Sequence, residues 1–167
     1  MRKLYLAQNI WSMRGKFVIS DEQGRPVYRV VGSLFKFAKH FDILKLDGSV
    51  AATVTKAPIS WLPRFELTIN GRSVATIQKR WSLFKPRYEL SAAGVTVIGD
   101  FWDMNFELRR GNRLIGKVAK RWFSLGDKYE LTIASEEDDL LVAGLVLAID
   151  YVKRQAAAAA SASASHS

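Results

Sequence analysis

The 167-residue chain has no cysteine and only two histidines. The first absence excludes a disulfide scaffold, a thiolate nucleophile, Cys-ligated zinc and an iron–sulfur cluster. The second leaves acid–base chemistry poorly supplied: His166 sits in a low-complexity tail, and His40 lies in Lys39-His40-Phe41-Asp42. No G-x-S-x-G elbow, G-x-x-x-x-G-K-S/T loop or H-E-x-x-H helix occurs. Ser-His-Asp chemistry would rest on His40 alone, and a surface or loop histidine is the simpler reading. Long apolar runs are also missing. The longest, Leu140 to Ile149, has ten residues and is closed by Asp150, whereas a bilayer crossing takes about 20. Near the start, Gln8 and Asn9 break up Leu4-Tyr5-Leu6-Ala7, which argues against a secretory signal and for a cytoplasmic location.

What is present suits one domain over residues 1–154. Apolar residues make up 49% of the chain and charged residues 25%, which is not the composition of a disordered protein. A chain of about 150 residues buries roughly 70% of its unfolded surface, so its core needs no metal or disulfide staple. Slid against itself by 41 positions, the sequence matches in three blocks: Phe65-Glu66-Leu67 with Phe106-Glu107-Leu108, Lys79-Arg80-Trp81 with Lys120-Arg121-Trp122, and Tyr88-Glu89-Leu90 with Tyr129-Glu130-Leu131. A weaker third copy begins at Phe17, with Phe41-Asp42-Ile43 echoing Tyr88-Glu89-Leu90. Such repetition marks a supersecondary unit that completes its core only with its neighbours.

Each unit reads as strands. Phe65 to Asn70 and Lys128 to Ile133 alternate apolar with polar, giving one buried and one wet face. Asn70-Gly71, Asp47-Gly48, Ala93-Gly94 and Gly111-Asn112 supply residues that tolerate the positive φ of tight hairpins. The pattern predicts twelve short strands, near 4–9, 14–20, 26–31, 37–46, 50–55, 64–70, 73–80, 86–92, 95–99, 104–110, 113–121 and 127–134, joined as an antiparallel meander. The last element differs. Ser135 and four carboxylates, Glu136 to Asp139, precede Leu140 to Val152, and Lys153-Arg154 follow, which is the charge order a helix dipole favours with Ser135 as the cap. That helix is apolar on every side and must be surrounded. A closed sheet of many strands has a lumen too wide for its own side chains. The fold class expected is therefore mainly β: a twelve-stranded closed barrel around a central hydrophobic C-terminal helix, with Ala143, Gly144 and Ala148 allowing a close fit. Residues 155–167, rich in Ala and Ser, read as a disordered tail.

Phe17 to Ser20 with Gly24-Arg25-Pro26-Val27-Tyr28, the two Lys-Arg-Trp…Tyr-Glu-Leu blocks, Gly99-Asp100-Phe101 and the Leu140 to Ile149 helix followed by Asp150 together resemble the LURP-one-related family, within the Tubby C-terminal-like superfamily that also contains phospholipid scramblases. The resemblance spans about residues 1–154. It implies a twelve-stranded barrel around a central helix, and candidate roles at phosphoinositide or other anionic membranes. No lipid-binding residue set carries over position by position, because no matching motif is present.

The surface signal is basic. Residues 1–135 hold twenty-three bases and eleven acids, a net of +12 against +9 for the whole chain. The densest stretches are Lys79, Arg80, Lys85 and Arg87, and Arg109, Arg110, Arg113, Lys117, Lys120 and Arg121, with Lys128 close by. Lipid headgroups or nucleic-acid phosphates would be drawn to this field, and Trp81, Phe84, Trp122 and Phe123 beside it could insert at a membrane interface. The competing account is that outward barrel positions are Lys/Arg-rich for solubility, with the aromatics inside. Trp11, Trp61, Trp81, Trp102 and Trp122 fall near strand ends. They could stack on bases, but the recurrence of Trp81 and Trp122 favours plugs that close the barrel ends. The acidic run lacks the spaced D-x-D-x-D-G loop of a Ca²⁺ site. Asp100 and Asp103 could pair as general acid and base, though turn residues are the simpler account. The reading reached is a non-enzymatic binding or scaffold barrel without metal or cofactor. It would be a monomer at anionic phospholipid or phosphoinositide on the inner membrane surface. The alternative is a nucleic-acid-associated regulator.

Overall fold

The computed structural model describes residues 1–7, 16–33, 40–57, 60–80, 87–92, 94–100, 103–121 and 128–164. Twelve strands follow one another: β1 (Arg2–Ala7), β2 (Lys16–Ser20), β3 (Pro26–Ser33), β4 (His40–Leu44), β5 (Val50–Lys56), β6 (Arg64–Ile69), β7 (Arg72–Arg80), β8 (Arg87–Ala92), β9 (Thr96–Asp100), β10 (Asn105–Arg110), β11 (Arg113–Arg121) and β12 (Lys128–Ile133). All pair antiparallel in the order β8-β7-β6-β5-β4-β3-β2-β1-β12-β11-β10-β9. The first and last strands join from Arg2↔Ile133 to Ala7↔Lys128. Between β8 and β9 the described residues form a single bridge, Ala92–Val95. The result is a nearly closed barrel with its seam at β8/β9, and the twelve strands lie where the hydrophobic alternation places them to within a few residues.

The internal repeat is a repeat of curvature. Pairing register shifts after Ile19 in β2, after Leu67 in β6 and after Leu108 in β10. Each shift follows a triple opened by a buried phenylalanine: Phe17-Val18-Ile19, Phe65-Glu66-Leu67 and Phe106-Glu107-Leu108. A further shift follows Phe41-Asp42-Ile43 in β4. Bulges bend and twist their strands, so their recurrence at equivalent positions curls the sheet upon itself. At the β6–β7 hairpin, Asn70 (φ 49°) and Gly71 (φ 75°) are both left-handed, as a two-residue turn of the primed type requires.

After β12 a 3₁₀ turn (Glu136–Asp138) leads into α1 (Asp139–Ala164). Residues 141–152 are buried on every side, and each Leu, Val or Ile among them contributes roughly 1.5–3 kcal/mol by leaving water. Glycines set the closeness of fit. A Cβ on Gly144 would lie 2.5 Å from Leu67 Cδ1 on β6, and one on Gly116 of β11 would lie 2.6 Å from Val142 Cγ2. The helix thus threads the barrel axis, as its lack of a wet face demands. Two details differ from expectation. Ser135 makes no side-chain capping bond; the Asp138 N–H that its hydroxyl would accept donates instead to the Ser135 backbone carbonyl at 3.0 Å. Nor does the helix stop at Lys153-Arg154: it runs on through residues read as a disordered tail, to Ala164. Alanine is the best helix former, and extending a nucleated helix is far easier than starting one.

Candidate functional site

The meander gives the barrel two unlike rims. At the entry rim the chain passes from β12 into the helix; its connections are 21–25, 45–49, 70–71, 93–95, 111–112 and 134–138. At the exit rim the helix leaves; there the connections are 8–15, 34–39, 57–63, 81–86, 101–104 and 122–127.

The entry rim is a charge-balanced closure. Arg2 at the start of β1 stands 3.3 Å from Asp139 and 3.7 Å from Glu136. From the β10–β11 hairpin, Arg110 donates to Asp138 at 3.1 Å, and Arg113 lies 3.7 Å from Glu137. Tyr28 Oη on β3 donates to Asp139 Oδ2 at 3.3 Å. Burial pushes the Asp139 carboxyl up to about 6, with Arg2 and Tyr28 pulling the other way, and burial beside Asp139 pushes the Tyr28 phenol up to about 12. The acidic run is therefore a latch gripped by three arginines; no cluster of metal-ligating side chains exists among the described residues.

These pairs sort the basic residues nominated from the sequence. Arg110 and Arg113 serve the latch. Arg109 and Lys117 share Glu107 on the outer wall, at 3.1 and 3.9 Å. Arg121 meets Glu130 at 3.2 Å, and Lys3 approaches the same carboxylate at 3.9 Å. For Arg109, Arg110, Arg113 and Lys117, the solubility-and-structure account fits the geometry. Of the remaining nominees, Lys79, Arg80, Arg87, Lys120 and Arg121 stand on strand ends at the exit rim. Lys79 and Lys120 occupy the last turns of β7 and β11 in equivalent repeat positions, and Arg80 pairs in register with Arg87. The side chains of Arg80 and Arg87, and all of Lys85, lie outside the described residues, as do Trp11, Trp81, Phe84, Trp102, Trp122 and Phe123.

Sequence reasoning did not single out Lys16, Lys56 and Arg64, which also stand at exit-rim strand ends. Their signal was positional: each flanks a long connection. Between Lys56 and Arg64, Trp61 is 104% exposed. This corrects the expectation that Trp61 plugs the barrel. The space it would fill is taken by Tyr151 of the helix, packed edge-on against Phe41 (5.0 Å) and Phe65 (5.2 Å). Beside it, Tyr129 Oη donates to buried Asp150 at 2.7 Å and Arg154 donates to the same carboxylate at 2.9 Å. Burial lowers the Lys153 ammonium below its usual range, opposed by Asp103 and Asp150.

No acid–base pair assembles from the residues considered for catalysis. Asp100 accepts the Asp103 backbone N–H at 2.9 Å, as a turn residue does. His40 opens β4 with Nε2 3.6 Å from Asp42.

A nearly closed twelve-stranded antiparallel barrel whose lumen is filled by its own C-terminal helix defines the fold class. The chain is a member of the LURP-one-related family, which matches residues 2–150. It is 30% identical over 152 residues to the uncharacterised protein YxjI of Bacillus subtilis strain 168, covering 91% of this chain and 94% of that one. The crystal structure of an Arabidopsis thaliana protein is similar in fold, with a TM-score of 0.56 and 14% identity over 90% of this chain and 91% of the other.

Proposed function

We propose that this protein is a non-enzymatic binding barrel that docks its exit rim on anionic phospholipid, phosphoinositides included, as a peripheral protein of the inner membrane surface. The observation that carries this reading is a fully exposed Trp61 set between Lys56 and Arg64 on a rim that also holds Lys16, Lys79, Lys120 and Arg121. Indole rings favour the headgroup layer, and each Lys or Arg near an anionic surface adds about 1 kcal/mol. The opposite rim lacks this pairing: its connections hold no aromatic residue, and Arg2, Arg110 and Arg113 answer its own carboxylates. The filled lumen leaves no substrate chamber along the axis, which supports a binding role over catalysis.

Co-sedimentation tests the reading. Vesicles of phosphatidylcholine with phosphatidylserine or phosphoinositide should pellet the protein, and phosphatidylcholine alone should not. Equal, negligible pelleting with all three removes the lipid. Retention of DNA in a gel-shift titration that collapses steeply with salt would assign the same charges to nucleic-acid phosphates instead.

A further inference from the structure

A cavity of about 570 Å³ opens at the entry rim, away from the docking face. It lies between the 3₁₀ turn and the β6–β7 hairpin, with Ile69, Val74 and Leu141 as its apolar wall and two bases, Arg72 and Arg110, facing two acids, Glu137 and Asp138, as its charged lining. That volume is in the range of small-molecule sites. The latch leans toward β1, β10 and β11, where its arginine partners are, and leaves this gap on the β6–β7 side.

Two polar groups there are not used by the fold. Asp138 is 1% exposed, and its Oδ1 is taken by Arg110 at 3.1 Å, but Oδ2 receives no hydrogen bond. The nearer cation, Arg113, stands 3.8 Å from Oδ2, outside hydrogen-bond range. A buried carboxylate oxygen without a donor is costly, and a ligand hydroxyl or amine would relieve it. Arg72, exposed at the mouth, forms no ion pair with any described carboxylate. Its planar guanidinium suits a carboxylate held by two parallel hydrogen bonds.

We infer that this cavity binds a small organic acid bearing a hydroxyl or amino donor on a branched apolar body. The acid group meets Arg72, the donor meets Asp138 Oδ2, and the apolar body rests on Ile69, Val74 and Leu141. The probes are leucine and 2-hydroxy-4-methylpentanoate, which carry both groups, 4-methylpentanoate, which lacks the donor, and 3-methylbutylamine, which lacks the acid. Backbone amide NMR titration of the full chain should show saturable shifts centred on residues 69–74, 110 and 137–141 for the first two. The two incomplete probes should bind at least tenfold more weakly. Arg72→Ala should weaken leucine or the hydroxy acid about tenfold without moving the melting temperature. Ser73→Trp, at the exposed hairpin, should block the mouth and abolish the shifts, which keeps the test open if Asp138→Asn fails to fold. Shifts alike for all four probes, indifference to both variants, or no saturable shift at these residues would overturn the site and make the cavity a solvent-filled mouth. None of these outcomes bears on vesicle binding at the far rim.

Discussion

The two rims are built from the same strands and differ in nearly every physical respect. Entry-rim connections are short turns with no aromatic residue; they hold six carboxylates and two bases, and three wall arginines come to meet them. Exit-rim connections hold all five tryptophans, five of the nine phenylalanines, and four bases against two carboxylates. One rim spends most of its charge on its own helix. The other carries, among the described residues, a fully exposed Trp61 set between Lys56 and Arg64. A barrel whose axis is occupied can evolve an interface only at its ends or wall, and the reading proposed above assigns it to the end away from the latch.

That contrast presupposes a helix through the axis, so the largest effect comes from breaking it. Leu145 is fully buried at mid-helix. Leu145→Asp places an unpaired carboxylate there, and the expected outcome is loss of folding, a destabilisation above about 4 kcal/mol. A soluble variant with a cooperative melt would mean that the two rims are not joined as described.

The next effect belongs to the entry rim alone. Asp139 has a folded pKa of about 6, above the ordinary value of 3.8. Between these values the folded protein holds a proton that the unfolded chain has released, so stability falls as pH rises from about 4 to about 6, by about 3 kcal/mol at most. It is level above that window with respect to this group. Asp21 and Asp47 act oppositely: desolvation, the largest single influence on Asp21, is outweighed by the sum of hydrogen bonds from Arg25 and Gln23, which lower it, and hydrogen bonds from Ser49 lower Asp47. Their contribution is present above about 4 and is lost on acidification. Chemical denaturation of Asp139→Asn and the parent across pH 3.5–7 cancels the shared groups. The parent should lose its excess stability through the window and the variant should not. Equal pH profiles would place the strain of the latch elsewhere.

Midway between the rims, Gly144→Val drives a branched side chain into Leu67, which is itself 1% exposed and has little room to retreat. Overpacking costs about 1–3 kcal/mol, offset in part by the better helix propensity of valine over glycine. Calorimetry should show a drop of several degrees with vesicle binding kept. An unchanged melt would mean the helix can slide in its sleeve.

How much of this was legible beforehand depended on the range of the interaction. Strand alternation and the all-round apolarity of 140–152 are local patterns, and both the twelve strands and the central helix follow from them. The sorting of the basic residues is not local. Arg110 reaches Asp138 across 28 positions, and Arg2 meets Asp139 at the far end of the chain. A run such as Arg109-Arg110…Arg113 therefore admits the docking and the solubility readings alike, and only the fold shows that each of these side chains has a carboxylate beside it. Trp61 misled for a related reason: it recurs at the 41-residue offset as Trp102, just as Trp81 recurs as Trp122, but recurrence fixes a place in the repeat and not the direction in which the ring faces, and Trp61 faces solvent. Helix continuation past Arg154 was missed because low complexity was equated with disorder, when alanine needs only a helix to extend.

The smallest effect on stability should be the most telling for the contrast. Trp61 makes no core contact, and Arg64 is exposed beside it at the exit rim. Trp61→Ser and Arg64→Glu should each leave the unfolding free energy within about 0.5 kcal/mol of the parent. On anionic vesicles the outcome differs. Losing one base and adding an acid changes the surface attraction by about 2 kcal/mol, roughly thirtyfold in affinity for Arg64→Glu, and the change should shrink as salt screens the field. Trp61→Ser should weaken binding by a smaller factor that persists in salt, because ring insertion is not a charge effect. Arg25→Glu on an entry-rim turn makes the same change in net charge and should leave binding nearly intact. If Arg25→Glu and Arg64→Glu weaken vesicle binding equally, attraction follows the net charge of the whole molecule, and the exit rim has no special claim on the membrane.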